Sequence, residues 1–338
     1  MWSLKNETPY SAERGWYRDV NGAEVWVVAM KATYDIRADG STQLSSPLPV
    51  NSSIVISPDS DEILYETDLG PEKNSTDILL NGHAWAPNNL PVNRLFIGLK
   101  VSGLCRLARV RGPRIWNGDS YDSPSKFLSI PLRYPYMAQG SFSDESICNP
   151  LGITFDENPE KGRSRLPQIE FLSDSGYPGF GTVPRQWPGR VCHAGTYDKH
   201  WQETQSPLLP EDFDPRFWQV APPPQYAAGQ LQGNETVTLA NLTPPSFSPS
   251  NILSFAIPKI SFNLRTQFTD GSVSIHRAKI HTVIIEPDHP RLSVVWHTAL
   301  PCHRKANMLD FTTITEKKRL NHHPLVLPTQ FKEWEQLS

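Results

Sequence analysis

The stretch AEVWVVAMKATYDI, residues 23–36, sets the reading of the whole chain. Side chains of an extended strand point alternately to its two faces, so Trp26, Val28, Met30, Ala32, Tyr34 and Ile36 share one apolar face. The opposite face starts with Val25, Val27 and Ala29 and continues with Lys31, Thr33 and Asp35. That change predicts a long strand that leaves the middle of a packed structure and emerges at its edge. Asp39-Gly40, directly after it, is a strong hairpin signal.

Working outward, the same period of two recurs. Residues 77–86 (DILLNGHAWA) carry strand signal, and Leu95, Ile97, Leu99 and Val101 alternate inward within Val92–Leu104. Glu235–Leu242 is short and strand-like. Ile260, Phe262, Leu264 and Phe268 begin a strand that ends at Asp270-Gly271, Val273–Glu286 returns, and Leu292, Val294 and Trp296 form a third, which predicts a three-stranded meander. Residues 41–75 are rich in Ser, Pro and Asp, and 116–168 are broken by Pro131, Pro135, Pro150 and Pro167. No repeat of 20 to 50 residues is present, so solenoids and propellers drop out. The fold class expected is mainly β: antiparallel, β-sandwich-like sheets with a long ordered Pro/Trp-rich loop insertion and little helix. Residues 1–320 read as a single elaborated β domain, with sheet regions 1–125 and 234–310, a loop-rich insert at 126–233 and a C-terminal tail at 321–338.

Composition agrees with this. The 338 residues include 32 prolines against 20 glycines, and 38% are hydrophobic, which suits a loop-rich, strand-dominated soluble protein better than a helical bundle. A formal charge of −3 gives no global reason to expect nucleic acid or anionic membrane as a partner. No run approaches the ~18 apolar residues of a membrane span, and MWSLKNETPY lacks the pattern of a secretory signal, so the expected location is the cytoplasm. Cys105, Cys148, Cys192 and Cys302 are widely scattered and are expected as free thiols.

Unusual composition concentrates in Gly179–Gly233, where Trp187, Trp201 and Trp218 alternate with prolines and glycines in neither a helical nor a strand period. So many aromatics argue against disorder, and the segment reads as an ordered loop. Three constellations there invite chemistry. Cys192-His193, with Asp198 and His200 behind, has the ingredients of an activated nucleophile, but neighbours on an extended chain point apart. Cys192, His193, Cys302 and His303 lack the two-to-four-residue ligand spacing of a zinc knuckle, so no metal is expected. Glu211, Asp212 and Asp214 could work as acid and base on a sugar, with Trp201 and Trp218 as stacking platforms; turn capping beside Pro210 and Pro215 is the simpler reading. Arg106, Arg109, Arg111 and Arg114 are read as charges on the solvent face of a strand. The sequence has no phosphate-binding glycine loop, zinc-protease motif or serine-hydrolase elbow.

The runs PRQWPGR (Pro184–Arg190), AGTYDKHW (Ala194–Trp201) and PLLPEDFDPRFW (Pro207–Trp218), preceded by RGWYRDVNGAEVWVVAMKATYDI, resemble a bacterial family long known only as a domain of unknown function. Its members are encoded beside VgrG spike and PAAR tip genes of type VI secretion clusters. The resemblance implies a non-enzymatic adaptor or chaperone with no cofactor. It would bind a toxic effector protein or its PAAR-containing region and promote loading onto the VgrG spike. The positions matching the family motifs are Arg14, Arg18, Asp19, Trp26 and Lys31, then Arg185, Trp187, Arg190, Gly195, Thr196, Tyr197, Asp198, Trp201, Pro210, Asp212 and Phe213. Their expected role is to order the loop, through buried ion pairs of Arg185, Arg190 and Asp198 with Trp187 and Trp201 as anchors, ahead of direct partner contact. The alternative is a carbohydrate-active enzyme or glycan-binding module using the loop at 187–218.

Overall fold

Eleven consecutive pairings join Glu24–Ile36 to Arg291–Pro301, from Val25 opposite Pro301 to Asp35 opposite Arg291. The computed structural model describes residues 2–58, 62–116, 120–143, 146–153, 164–172 and 177–317; the tail expected at 321–338 lies outside them. On its other side Glu24–Ile36 pairs with Ser11–Arg18 and, past the Asp39-Gly40 turn, with Thr42–Leu44. Gly40 is required in that turn: its φ is +81°, and an added Cβ would come within 2.1 Å of the Ser254 carbonyl oxygen. Lys279–Glu286 continues the sheet antiparallel to Arg291–Pro301, and Asp77–Leu80 closes it in parallel, giving six strands.

Two more sheets cover one face of this one. A five-stranded antiparallel sheet runs in the order Ile169–Phe171, Leu104–Arg111, Arg94–Val101, Thr236–Ala240, Ile252–Ala256. A four-stranded sheet runs in the order Ser3–Asn6, Leu309–Glu316, Phe262–Phe268, Val273–His276, its first pair parallel. Trp26, Met30 and Tyr34 of the six-stranded sheet share one apolar core with Leu95, Ile97, Leu99, Val237 and Leu239 of the second and Phe262, Leu264 and Ile314 of the third. Burying each such side chain contributes roughly 1.5–3 kcal/mol. The Trp26 indole also donates to Thr312 Oγ1 across the layers at 2.9 Å, so its polar edge is satisfied. The architecture is therefore mainly β, layered and sandwich-like.

Three expectations need correction. Lys31 and Thr33 do not mark the emergence of Glu24–Ile36 at an edge: both are buried, and Lys31 Nζ lies 3.2 Å from Asp68 Oδ2. The strand stays central for nearly its whole length, and a loop carrying a carboxylate covers its second face. The three-stranded meander does not form either. Val273–Glu286 breaks at Arg277-Ala278 into Val273–His276, paired with Phe262–Phe268, and Lys279–Glu286, paired with Arg291–Pro301, so two hairpins sit in two sheets. Finally, the four arginines are not a solvated face. Arg106 is buried, donating to the Tyr177 and Gly179 carbonyls and lying 4.1 Å from the Phe171 ring centroid. Arg109, Arg111 and Arg114 all reach Glu170. The cause is register: Leu104–Arg111 has a neighbour on each side, and Glu170 sits directly opposite Arg109.

Candidate functional site

The insert Gly179–Gly233 is fastened to the scaffold along Asp77–Leu80, the last strand of the six-stranded sheet. Leu80 N–H donates to the Phe180 carbonyl at 3.0 Å and Ala227 N–H to the Thr76 carbonyl at 3.0 Å. Gln225 Nε2 donates to the Ile78 carbonyl at 2.7 Å and to Phe180 at 2.9 Å. The buried Asp77 carboxylate accepts from Gln219 Nε2 (2.9 Å), Val220 N–H (2.8 Å) and Lys73 Nζ (2.6 Å). A buried carboxylate needs such a full set of donors to remain charged without a large penalty.

A second clamp is built on Glu66. Arg185 Nη2 donates to Oε2 at 2.7 Å, and Arg190 Nη1 donates to Oε1. Arg190 is itself buried, with Nε on the Phe217 carbonyl (2.9 Å) and Nη1 also on Val183 (3.0 Å). Burial alone would push the Glu66 carboxyl up, but Arg190 and Arg185 together hold it below the usual carboxylate range. Trp187 is buried beside this pair, edge-to-face on Tyr134 with centroids 4.7 Å apart.

Beyond the clamps the insert folds into a small helical knob. Pro188–Val191 and Lys199–Thr204 are its two α-helices. Asp198 does not enter an ion pair; it caps the second helix, accepting from Trp201 N–H at 2.8 Å. Thr196 N–H and Oγ1 donate to Asp212 at 2.9 and 2.7 Å, and the Trp201 indole donates to the Leu208 carbonyl at 2.9 Å. Gly195 between them has φ +79°, and a Cβ there would sit 2.9 Å from both Asp212 Oδ1 and Pro210 Cβ. Phe213 packs against Phe217 and Trp218. Thr196, Asp198, Trp201, Pro210, Glu211 and Asp212 border a cleft of about 200 Å³, so five of the motif residues meet at one place. Tyr197, in edge contact with Trp201, and Val191 are exposed on the same knob.

The amino-terminal motif residues play other parts. Asp19 Oδ1 accepts from Asn21 and Ala23 N–H, both at 2.9 Å, and so shapes the turn between two strands. Arg14 and Arg18 are exposed, while Trp26 and Lys31 are held in the interior as described. Gly22 lies close against the insert: a Cβ there would come within 2.7 Å of the Leu208 side chain.

The acids and the thiol suggested for chemistry are shifted by their surroundings. Hydrogen bonds from Thr196 hold Asp212 below the usual carboxylate range, and a hydrogen bond from Arg216 does the same for Asp214. A sugar-cleaving acid needs the reverse, a carboxyl kept protonated near neutrality. Burial pushes the Cys192 thiol up, whereas a nucleophilic thiol is pulled down. His193 is lowered by burial; its Nδ1 faces Asp214 Oδ2 at 3.4 Å. Asp214 caps the turn Pro215–Trp218, as expected; Asp212 reaches across the knob instead. All four cysteines are free thiols, and no group of three or more His, Cys, Asp or Glu side chains among the described residues is placed to hold a metal ion. Nor is any helix among them long and apolar enough to cross a membrane.

Sequence reasoning missed Glu66, Asp77, Gln219 and Gln225, which do the fastening. Glu66, Gln219 and Gln225 lie in aperiodic stretches and Asp77 at the very start of a strand, and nothing local distinguishes any of them from a solvated residue.

No curated protein and no solved structure matches the chain. A family model does: residues 21–297, well over half the chain, match the family described as an uncharacterized protein conserved in bacteria (DUF2169), a span that contains the long central strand, both clamps and the whole knob. The chain belongs to that family.

Proposed function

We propose that this protein is a non-enzymatic adaptor or chaperone of type VI secretion. It binds a toxic effector, or the PAAR-containing region of one, in the cytoplasm and promotes its loading onto the VgrG spike. The observation that carries this reading is that polar residues of the family motifs are spent on holding the insert in place. Arg185, Arg190, Asp198, Thr196 and Asp212 are all committed to internal partners. Among the large apolar side chains of the knob, Tyr197 and Val191 are exposed and suited to protein contact.

The competing readings require features of another kind. A glycan-binding module presents an open row of rings, but Trp187 is 6% exposed and Trp201 and Trp218 are partly buried. A glycosidase requires one raised carboxyl, and Asp212 and Asp214 are lowered.

The decisive experiment is co-expression of the tagged protein with the effector and PAAR proteins encoded beside it, followed by pull-down and size-exclusion chromatography. A stoichiometric complex that survives gel filtration is expected. Absence of a complex with every neighbour abandons the proposal.

A further inference from the structure

The arginines of the five-stranded sheet form a second feature, separate from the insert's knob. Strand register sets Arg111 opposite Arg94 and Arg109 opposite Glu170. Glu170 accepts from Arg109 Nη2 at 2.9 Å, Arg111 Nη1 at 2.7 Å and Arg114 Nη2 at 3.0 Å. One carboxylate neutralises one of the three guanidiniums. Arg94 is exposed and has no ion-pair or hydrogen-bond partner for its side chain among the described residues. Arg165, also exposed, is paired with Ile115 in the neighbouring ribbon and extends the charge. Arg114 is 6% exposed, yet its Nε has no hydrogen-bond partner. Asp122, whose N–H donates to the Ile115 carbonyl at 3.1 Å, is an acid on the neighbouring segment.

Like charges directly opposite in an antiparallel pair work against the sheet. The Arg94–Arg111 pairing therefore works against the fold, and Glu170, shared among three guanidiniums, offsets it only in part.

We infer that Arg94, Arg109, Arg111 and Arg114, flanked by Arg165, form a receptor for a carboxylate-rich segment of a protein partner. The inference rests on the adaptor reading for the partner being a protein. The planar forks already grip one carboxylate, that of Glu170, and offer their remaining N–H groups to more of the same chemistry. A nucleic acid is disfavoured on two counts. Its binding needs a row of phosphate contacts on a basic protein, whereas this charge is gathered about one point. The chain as a whole carries −3, a field that repels a long polyanion but that a short acidic segment, held within a Debye length of about 8–10 Å of the patch, escapes.

Titration of the full-length protein with a labelled oligoglutamate peptide, an oligoglutamine of equal length and a single-stranded oligonucleotide tests this. Oligoglutamate should bind, oligoglutamine should not, and added salt should weaken binding. Arg94→Glu should reduce oligoglutamate affinity about tenfold or more while raising the thermal midpoint, because it removes the like-charge pair; Arg165→Glu should reduce affinity without that gain. No binding of oligoglutamate, unchanged affinity in both variants, or tighter binding of the oligonucleotide would each overturn the assignment. Pull-down separates the two ideas: effector captured equally by wild type and Arg94→Glu sinks the patch alone. If wild type captures no effector the adaptor reading fails, and the peptide titration still decides the patch.

Discussion

Arg190 and Glu66, 124 residues apart in sequence, meet as an ion pair whose side chains are 2% and 4% exposed. Through this contact the insert and the loop preceding the last strand of the six-stranded sheet become one body. Arg190 also donates to the backbone carbonyls of Phe217 and Val183, which strengthens the contact.

Glu66→Gln leaves the Arg190 charge buried without a counter-charge, and urea unfolding should show a loss of about 3–5 kcal/mol. Arg185→Gln removes the half-exposed partner of the same carboxylate and should cost under about 1 kcal/mol. Equal losses in the two variants would contradict the asymmetry of the clamp.

Acid should weaken the fold well before carboxylates protonate. His281 and His297 stack with centroids 4.7 Å apart in the interior, and burial, followed by the nearby Lys73 charge, holds His281 well below its ordinary value. Burial pushes His297 and His276 down to about 4. The ordinary imidazole value is 6.5, so below it the unfolded chain takes up protons that the folded chain refuses. Stability is therefore fully present above pH ~6.5 and falls towards pH ~4, by up to about 1.4 kcal/mol per pH unit for each histidine. Unfolding midpoints measured across that window should slope less in His297→Gln than in wild type; identical slopes would show that His297 is protonated in the fold.

Gly195→Ala meets both a positive φ and a Cβ clash with Asp212 and Pro210. A local cost of about 1–2 kcal/mol is expected, read as faster amide exchange at Thr196 and Tyr197. Protection at Leu80, in the scaffold, should not change. Loss of protection in both places would mean that knob and sheet unfold together.

Cys192 should alkylate more slowly at neutral pH than an unhindered free thiol, because burial raises its thiol and lowers the thiolate fraction. Faster modification would revive the nucleophile reading.

Much of the scaffold was legible because alternation is a local property. Glu24–Ile36, Arg94–Val101 and Thr236–Ala240 stand where period two places them, and Asp39-Gly40 turns the chain as its residues require. What escaped was set at a distance. Lys31 looks like an edge residue until Asp68 folds over it, and Arg109 looks solvated until Glu170 arrives from 61 residues away. The supposed strand Val273–Glu286 keeps its alternation from exposed Ile275 to buried Ile280, so the break at Arg277-Ala278 that divides it between two sheets has no local signature. In the insert, aromatic density announced order, and motif residues did gather on one knob. The carboxylates that moor it lie outside, Glu66 in aperiodic sequence and Asp77 at the first position of a strand, where a lone Glu or Asp carries no signature.

The pairing of Glu24–Ile36 with Arg291–Pro301 also bears on how the protein is made. The strand Glu24–Ile36 must wait for Arg291–Pro301, and until then its hydrogen-bonding edge and the Trp26–Met30 face stand open. Ribosomes stalled before about residue 290 would release a polypeptide primed to clump, so heat-shock chaperones should collect on nascent chains until Arg291–Pro301 has emerged.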